Sequence, residues 1–255
     1  MTIFFTAFLI LALITHTNFE FGVKSIISSY ALIEGIGYVW IMRVFFLIAL
    51  VNPIILFCSN RIKCNMNYFV LLAIIYLVYL GIINVNLHID GIARFIFENI
   101  ILVSIGWGLI AAVGIRLKQL SRKGVLLGAS SFLLIFIFLM IKYNFESIQA
   151  YKYPPTMYYM SYGLFVSFVL LLILDIKCVY DFCDNRIVKY ISLNSLTLYY
   201  WHIIPVYILD IYGDYLQMFN SNFISRFLFI FLFSMAGMVL QQKIFNRRWG
   251  IKVGN

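Results

Sequence analysis

An ionisable side chain at the centre of an apolar membrane helix costs about 2.5–3.5 kcal/mol on insertion scales, so each one needs a reason to be there. Arg43, Glu98, Asp175, His202, Asp210 and Arg226 all fall within or at the ends of long apolar runs. His202 is the most suggestive. Its run starts near Leu193, which places the imidazole about 13 Å along a helix axis, close to mid-membrane. Ser195 and Tyr199 precede it on the same helical stripe, and Pro205 frees the carbonyl of Trp201 from its helical bond. Such a stripe can line a cavity. An imidazole that titrates near neutrality can take a proton from a hydroxyl and return it to a leaving group. The competing reading is a packing histidine bonded to a neighbouring helix. Arg43, Glu98, Asp210 and Arg226 are expected in one half of the membrane, as a polar cluster or as plain interfacial ion pairs. Asp175 reads as structural, and His16 and His88 fall in loops.

The elements that must position these groups follow from composition. Of 255 residues, 64% are hydrophobic and 11% charged, with a mean hydropathy of +0.97. A soluble domain carries about 25% charged residues, so the solvent here is lipid. Disordered, coiled-coil and disulfide-scaffold classes fail on the same numbers. Eight apolar stretches qualify as spans, near 2–14, 38–58, 68–85, 95–116, 124–141, 156–180, 193–212 and 223–245. Their apolar runs are continuous rather than alternating, which predicts an all-α polytopic membrane protein instead of a barrel. One domain over 1–255 is expected.

The net charge of +9 sorts by loop. Arg61, Lys63, Arg116, Lys118, Arg122, Lys123, Lys177, Arg186 and Lys189 follow the second, fourth and sixth stretches, and Lys243, Arg247, Arg248 and Lys252 form the tail. The alternate loops hold only Lys24, Arg94, Lys142 and Lys152. This positive-inside pattern places both termini in the cytoplasm. The basic balance therefore reads as topology and gives no nucleic-acid partner.

The first apolar stretch lacks a preceding cation and a small-x-small cleavage site, so it reads as a short span rather than a signal peptide. Val23, Ile26, Ile27, Tyr30 and Ile33 keep helical spacing and predict a helix lying on the outer interface. Cys58, Cys64, Cys178 and Cys183 are spaced poorly for zinc and read as packing thiols, with no metal expected.

Three segments then carry a family resemblance. The run Ile191-Ser-Leu-Asn-Ser-Leu-Thr-Leu-Tyr-Tyr-Trp-His202-Ile-Ile-Pro205 resembles the late helix of the bacterial acyltransferase 3 family, membrane proteins that acylate cell-surface glycans. Tyr38-Val-Trp40-Ile-Met-Arg43, closing at Pro53, resembles the family's mid-domain helix, and Lys152-Tyr-Pro-Pro155 through Gly163 resembles the segment entering a later helix. The matches run in family order and cover roughly the C-terminal two-thirds of the domain. The resemblance implies a multi-pass protein of the inner (plasma) membrane. It transfers an acetyl group from acetyl-CoA, or another acyl-CoA, to a surface or lipid-linked glycan hydroxyl, with no tightly bound cofactor.

The family's catalytic basic-residue and histidine motif, on its first helices, has no counterpart here, and two helices are expected to be missing before Met1. His202 is then the best remaining base, with Arg43, Glu98, Ser195 and Tyr199 as substrate-binding or cavity-lining residues. The alternatives are a non-catalytic membrane module completed by a chain that supplies the missing helices, and, third, a glycan flippase or polymerase.

Overall fold

Inside lipid every backbone N–H and C=O must find an internal partner, and a continuous apolar run can do this only as a helix. The computed structural model, which describes residues 1–19, 21–33, 40–85 and 90–249 and side chains through Ile244, has this form. The helices are α1 (Thr2–Thr15), α2 (Val23–Tyr30), α3 (Trp40–Arg61), α4 (Asn65–Asn84), α5 (Gly91–Ile96), α6 (Leu102–Leu117), α7 (Arg122–Lys142), α8 (Met157–Leu174), α9 (Lys177–Cys183), α10 (Arg186–Leu193), α11 (Ser195–Tyr212), α12 (Gln217–Asn220) and α13 (Phe223–Trp249). A π-helical turn, Phe97–Ile101, joins α5 to α6 without a break. Among the described residues no strand forms, only a single bridge between Lys152 and Pro155.

Each of the eight expected stretches is helical, and six helices are long and apolar enough to cross a membrane: α3, α4, the continuous Gly91–Leu117, α7, α8 and α13. α1 is shorter, and α11 is interrupted by Pro205. The stretch expected to run to Tyr180 instead ends at Leu174, where Asp175 caps α8 before α9 begins. Leu50, Ile54, Phe57, Leu77, Val78, Leu134 and Phe138 are each at least 58% exposed. Faces of that kind call for an apolar solvent. α2 bears out the expected amphipathic helix, with Val23, Ile27 and Tyr30 exposed on it.

The chain divides into two compact units, Met1–Glu20 with Asp181–Asn255 (unit 1) and Phe21–Tyr180 (unit 2). In unit 2, Tyr68, Leu72, Tyr76 and Tyr79 form one stripe of α4 and bury against Leu102, Leu109, Ala112 and Val113 of α6, with Val125 and Ala129 of α7 and Met160, Leu164 and Phe168 of α8. The three tyrosines keep their hydroxyls bonded. Tyr68 donates to the Ala112 carbonyl (3.1 Å), Tyr79 donates to the Pro155 carbonyl (3.0 Å), and Tyr76 accepts from the Met157 amide (2.9 Å).

Arg116 corrects the sequence reading. Counted there among the loop charges, it is only 2% exposed. Nε donates to Asn65 Oδ1 (2.7 Å), Nη1 to the Ser59 carbonyl (2.8 Å), and Nη2 to the carbonyls of Ile62 (2.7 Å) and Lys63 (2.6 Å). Its guanidinium also lies over the Tyr68 ring, 5.0 Å from the centroid. The last turn of a helix leaves carbonyls without intrahelical donors, and Arg116 supplies those donors to the end of α3.

In unit 1 the first helix joins the last ones. Phe4 and Phe8 of α1 pack on the Tyr207 ring of α11, with centroids 5.3 and 6.2 Å apart. α11 runs against α13 through a polar ladder: Trp201 Nε1 donates to Gln241 Oε1 (2.6 Å), Gln242 Nε2 to Asn194 Oδ1 (2.6 Å), and Tyr190 Oη to Gln242 Oε1 (2.5 Å). At the other end of the pair Arg226 binds Asp210 at 2.5 Å, the ion pair that the sequence offered as the plain reading of these two residues.

Candidate functional site

α11 and α13 enclose a groove in unit 1. It has a volume of about 330 Å³ and is lined by Ser195, Tyr199 and His202 of α11 and by Phe227, Phe231 and Ser234 of α13, among others. The stripe drawn from residue spacing lines one side of this open groove. His202 stands seven residues, about 10 Å, into α11. It is partly buried and lines the groove between the two helices.

The imidazole is oriented from within its own helix. His202 Nδ1 is hydrogen-bonded to the carbonyl of Tyr199, and a carbonyl only accepts, so Nδ1 carries the hydrogen. When the ring is neutral, its lone pair therefore sits on Nε2. The Tyr199 ring packs beside the imidazole with centroids 4.6 Å apart. Ser234 is 1% exposed and donates its hydroxyl to the Ile230 carbonyl (2.5 Å), which leaves its oxygen as an acceptor towards the groove. Chemically the groove offers one proton-accepting nitrogen and several hydroxyls within apolar walls.

The remaining expected site residues are described within their own units. Arg43 and Glu98 belong to unit 2. Arg43 Nη1 donates to the Ile33 carbonyl at 3.3 Å. Glu98, in the π-helical turn, is half-exposed and bound to Arg94 at 2.8 Å. Asp175 is an exposed C-cap. His16 ends α1 in the left-handed conformation at φ 53°, and His88 lies outside the described residues. No group of three or more His, Cys, Asp or Glu side chains converges among the described residues.

Sequence reasoning missed Ser234 and Phe231. The available signal was a polar stripe on α13, since Arg226, Ser234 and Gln241 fall on one helical face and Arg226 and Gln241 bond to α11. No protein-family model, curated protein or solved structure matches the chain, so the groove is interpreted on its own chemistry.

Proposed function

We propose that the chain is a membrane O-acyltransferase in which His202 is the base. The observation that carries this reading is the shared groove of Ser195, Tyr199 and His202, together with the Nδ1 bond that keeps the lone pair on Nε2. Nε2 takes the proton of an acceptor hydroxyl as its oxygen bonds to the acyl carbon. The C–S bond of the acyl thioester breaks, and the thiolate recovers the proton from the imidazolium. The hydroxyls of Tyr199 and Ser195 are donors for the transient oxyanion. Resemblance supplies the substrates: acetyl-CoA or another acyl-CoA as donor and a surface or lipid-linked glycan as acceptor, at a bacterial inner membrane. A volume of about 330 Å³ is at the lower end for small-molecule sites, which suits one sugar ring beside an acyl group.

The test is mass spectrometry of glycan acetylation in cells deleted for the gene and complemented with this chain or its His202→Ala variant. Restoration by the chain, with a loss of about a hundredfold or more on His202→Ala at equal expression, is expected. Equal restoration by both would overturn the role of His202. Restoration only after two helices are added before Met1 would make the chain a non-catalytic partner. Glycan transport without a change in acetylation would mark a flippase.

A further inference from the structure

Unit 2 holds a second constellation that the acyl-transfer reading does not use. The Lys152 ammonium lies 3.9 Å from the centroid of the Trp40 ring, well inside cation–π range. Trp40 packs against Tyr153 (4.9 Å) and Trp107 (6.1 Å), and Trp107 against Tyr159 (5.7 Å). Lys152 and Thr156 flank a tight turn through Pro154 and Pro155. Thr156 sits three residues before Tyr159, on the same stripe of α8.

This turn is folded inward from the helix ends. Pro155 packs so closely on Gly106 that a Cβ there would lie 2.6 Å from its ring. Gly106 is about 22 Å along the continuous helix that starts at Gly91. Non-helical backbone at membrane depth occurs where it is buried in protein or lines a polar cavity.

The polar atoms of the cluster are rich in donors. Trp107 Nε1 and Thr156 Oγ1 are buried with no hydrogen-bond partner among the described residues. No carboxylate pairs with Lys152 among them either, and the nearest acid along the chain, Glu146, is bound to Tyr151 at 2.6 Å. An ammonium has three donors, an indole N–H only donates, and a hydroxyl can donate. Buried donors without acceptors are costly, so this set calls for a ligand rich in acceptors and negative charge. The Trp40 face is already covered by the ammonium, which argues against sugar stacking.

We propose that the Lys152, Trp40, Trp107 and Thr156 cluster binds a phosphate group. Lys152 supplies charge, Trp107 and Thr156 supply directed hydrogen bonds, and the aromatic rings hold the lysine in place. The phosphate comes from a phospholipid headgroup or from a soluble phosphate ester. The proposal is independent of the acyl-transfer reading.

The test uses the full chain in neutral detergent, titrated with inorganic phosphate, glycerol 3-phosphate or phosphatidylglycerol, with diacylglycerol as control and thermal stabilisation as readout. Saturable stabilisation by at least one phosphate compound and none by diacylglycerol is expected. Lys152→Ala should weaken it about tenfold or more, Trp107→Phe about fivefold, and Lys152→Arg less than about threefold. Response to phosphatidylglycerol alone identifies a lipid headgroup, and response to glycerol 3-phosphate or inorganic phosphate identifies a soluble source. The proposal is overturned if no phosphate compound stabilises the unsubstituted chain or if diacylglycerol does as well as phosphatidylglycerol. It is also overturned if Trp107→Phe, which keeps an aromatic ring but removes the indole N–H, binds as tightly.

Discussion

Arg116 in unit 2 and His202 in unit 1 are both ionisable side chains set in apolar helices, and the two units treat them in opposite ways. Arg116 is 2% exposed and directs all three of its nitrogens at oxygen acceptors from Ser59 to Asn65. His202 is partly buried, is held through Nδ1 by its own helix, and lines a groove. A buried charge is tolerated when every donor is satisfied. Arg116 meets that condition, and its position at the carbonyl end of α3 adds a favourable dipole interaction. Full satisfaction leaves no valence for chemistry. His202 instead lies beside an open groove, and that is where the proposed acyl transfer would draw on it.

The sharpest way to break this contrast is to remove each group. Arg116→Met strips donors from the Ser59, Ile62 and Lys63 carbonyls and from Asn65 Oδ1 at once. A loss of about 3 kcal/mol or more is expected, read as a large fall in melting temperature in detergent. Arg116→Lys should recover only part of it, since an ammonium cannot reproduce the planar fork. His202→Gln should shift the same melting temperature by less than about 1 kcal/mol equivalent. A comparable loss on His202→Gln would make that histidine structural too.

The next contrast lies in two glycines. Gly106 faces the ring of Pro155 and the hydroxyl of Tyr79, each 2.6 Å from where its Cβ would stand. Those two groups are tied together by the Tyr79 bond to the Pro155 carbonyl, so neither can move alone. Gly106→Ala should cost about 2 kcal/mol, within the range for overpacked cores. Gly237 faces the Trp201 ring more closely still, at 2.2 Å, but that ring turns about its own side-chain bonds and is restrained by one bond to Gln241, so Gly237→Ala should cost less, about 1 kcal/mol. Melting temperatures of the two variants side by side give the order, and the reverse order would place the tighter packing in unit 1.

Much of this was legible in residue order. Apolar continuity located the helices, because lipid leaves the backbone no other solution. The spacing of Ser195, Tyr199 and His202 gave their common face, because helical period is a local property. The partners of that face were not legible. α13 carries a polar stripe of Arg226, Ser234 and Gln241, but which helix that stripe meets, and that Phe231 closes the groove beside it, are decided by packing. Arg116 misled for a related reason. An arginine at a helix end looks the same in sequence whether it snorkels to water or turns inward to cap a neighbour, and the difference lies in acceptors more than fifty residues away. Lys152 was counted only as a loop charge, since nothing local announces that the turn carrying it folds back onto Trp40.

The smallest expected effect asks whether the buried Arg116 charge is felt outside its own bonds. Cys64 caps the start of α4, next to Lys63 and Asn65, both of which Arg116 engages. The amides of Asn67 and Met66 at the start of α4 lower the thiol below its ordinary range, with the Arg116 charge adding to the effect. The thiolate is the reactive form, so a lowered pKa means that reactivity persists as pH falls past the point where an ordinary thiol has protonated. In a chain with Cys58, Cys178 and Cys183 replaced by Ser, iodoacetamide labelling of Cys64 should reach half its maximal rate at a lower pH than a free thiol in the same buffer. Arg116→Lys keeps the charge and should leave that profile nearly in place, whereas Arg116→Met should move it slightly upward. A Cys64 profile that coincides with the free thiol would mean that the α4 amides do not reach the sulfur. An unshifted profile in Arg116→Met would confine Arg116 to a mechanical role, its charge fully spent on the carbonyls it caps.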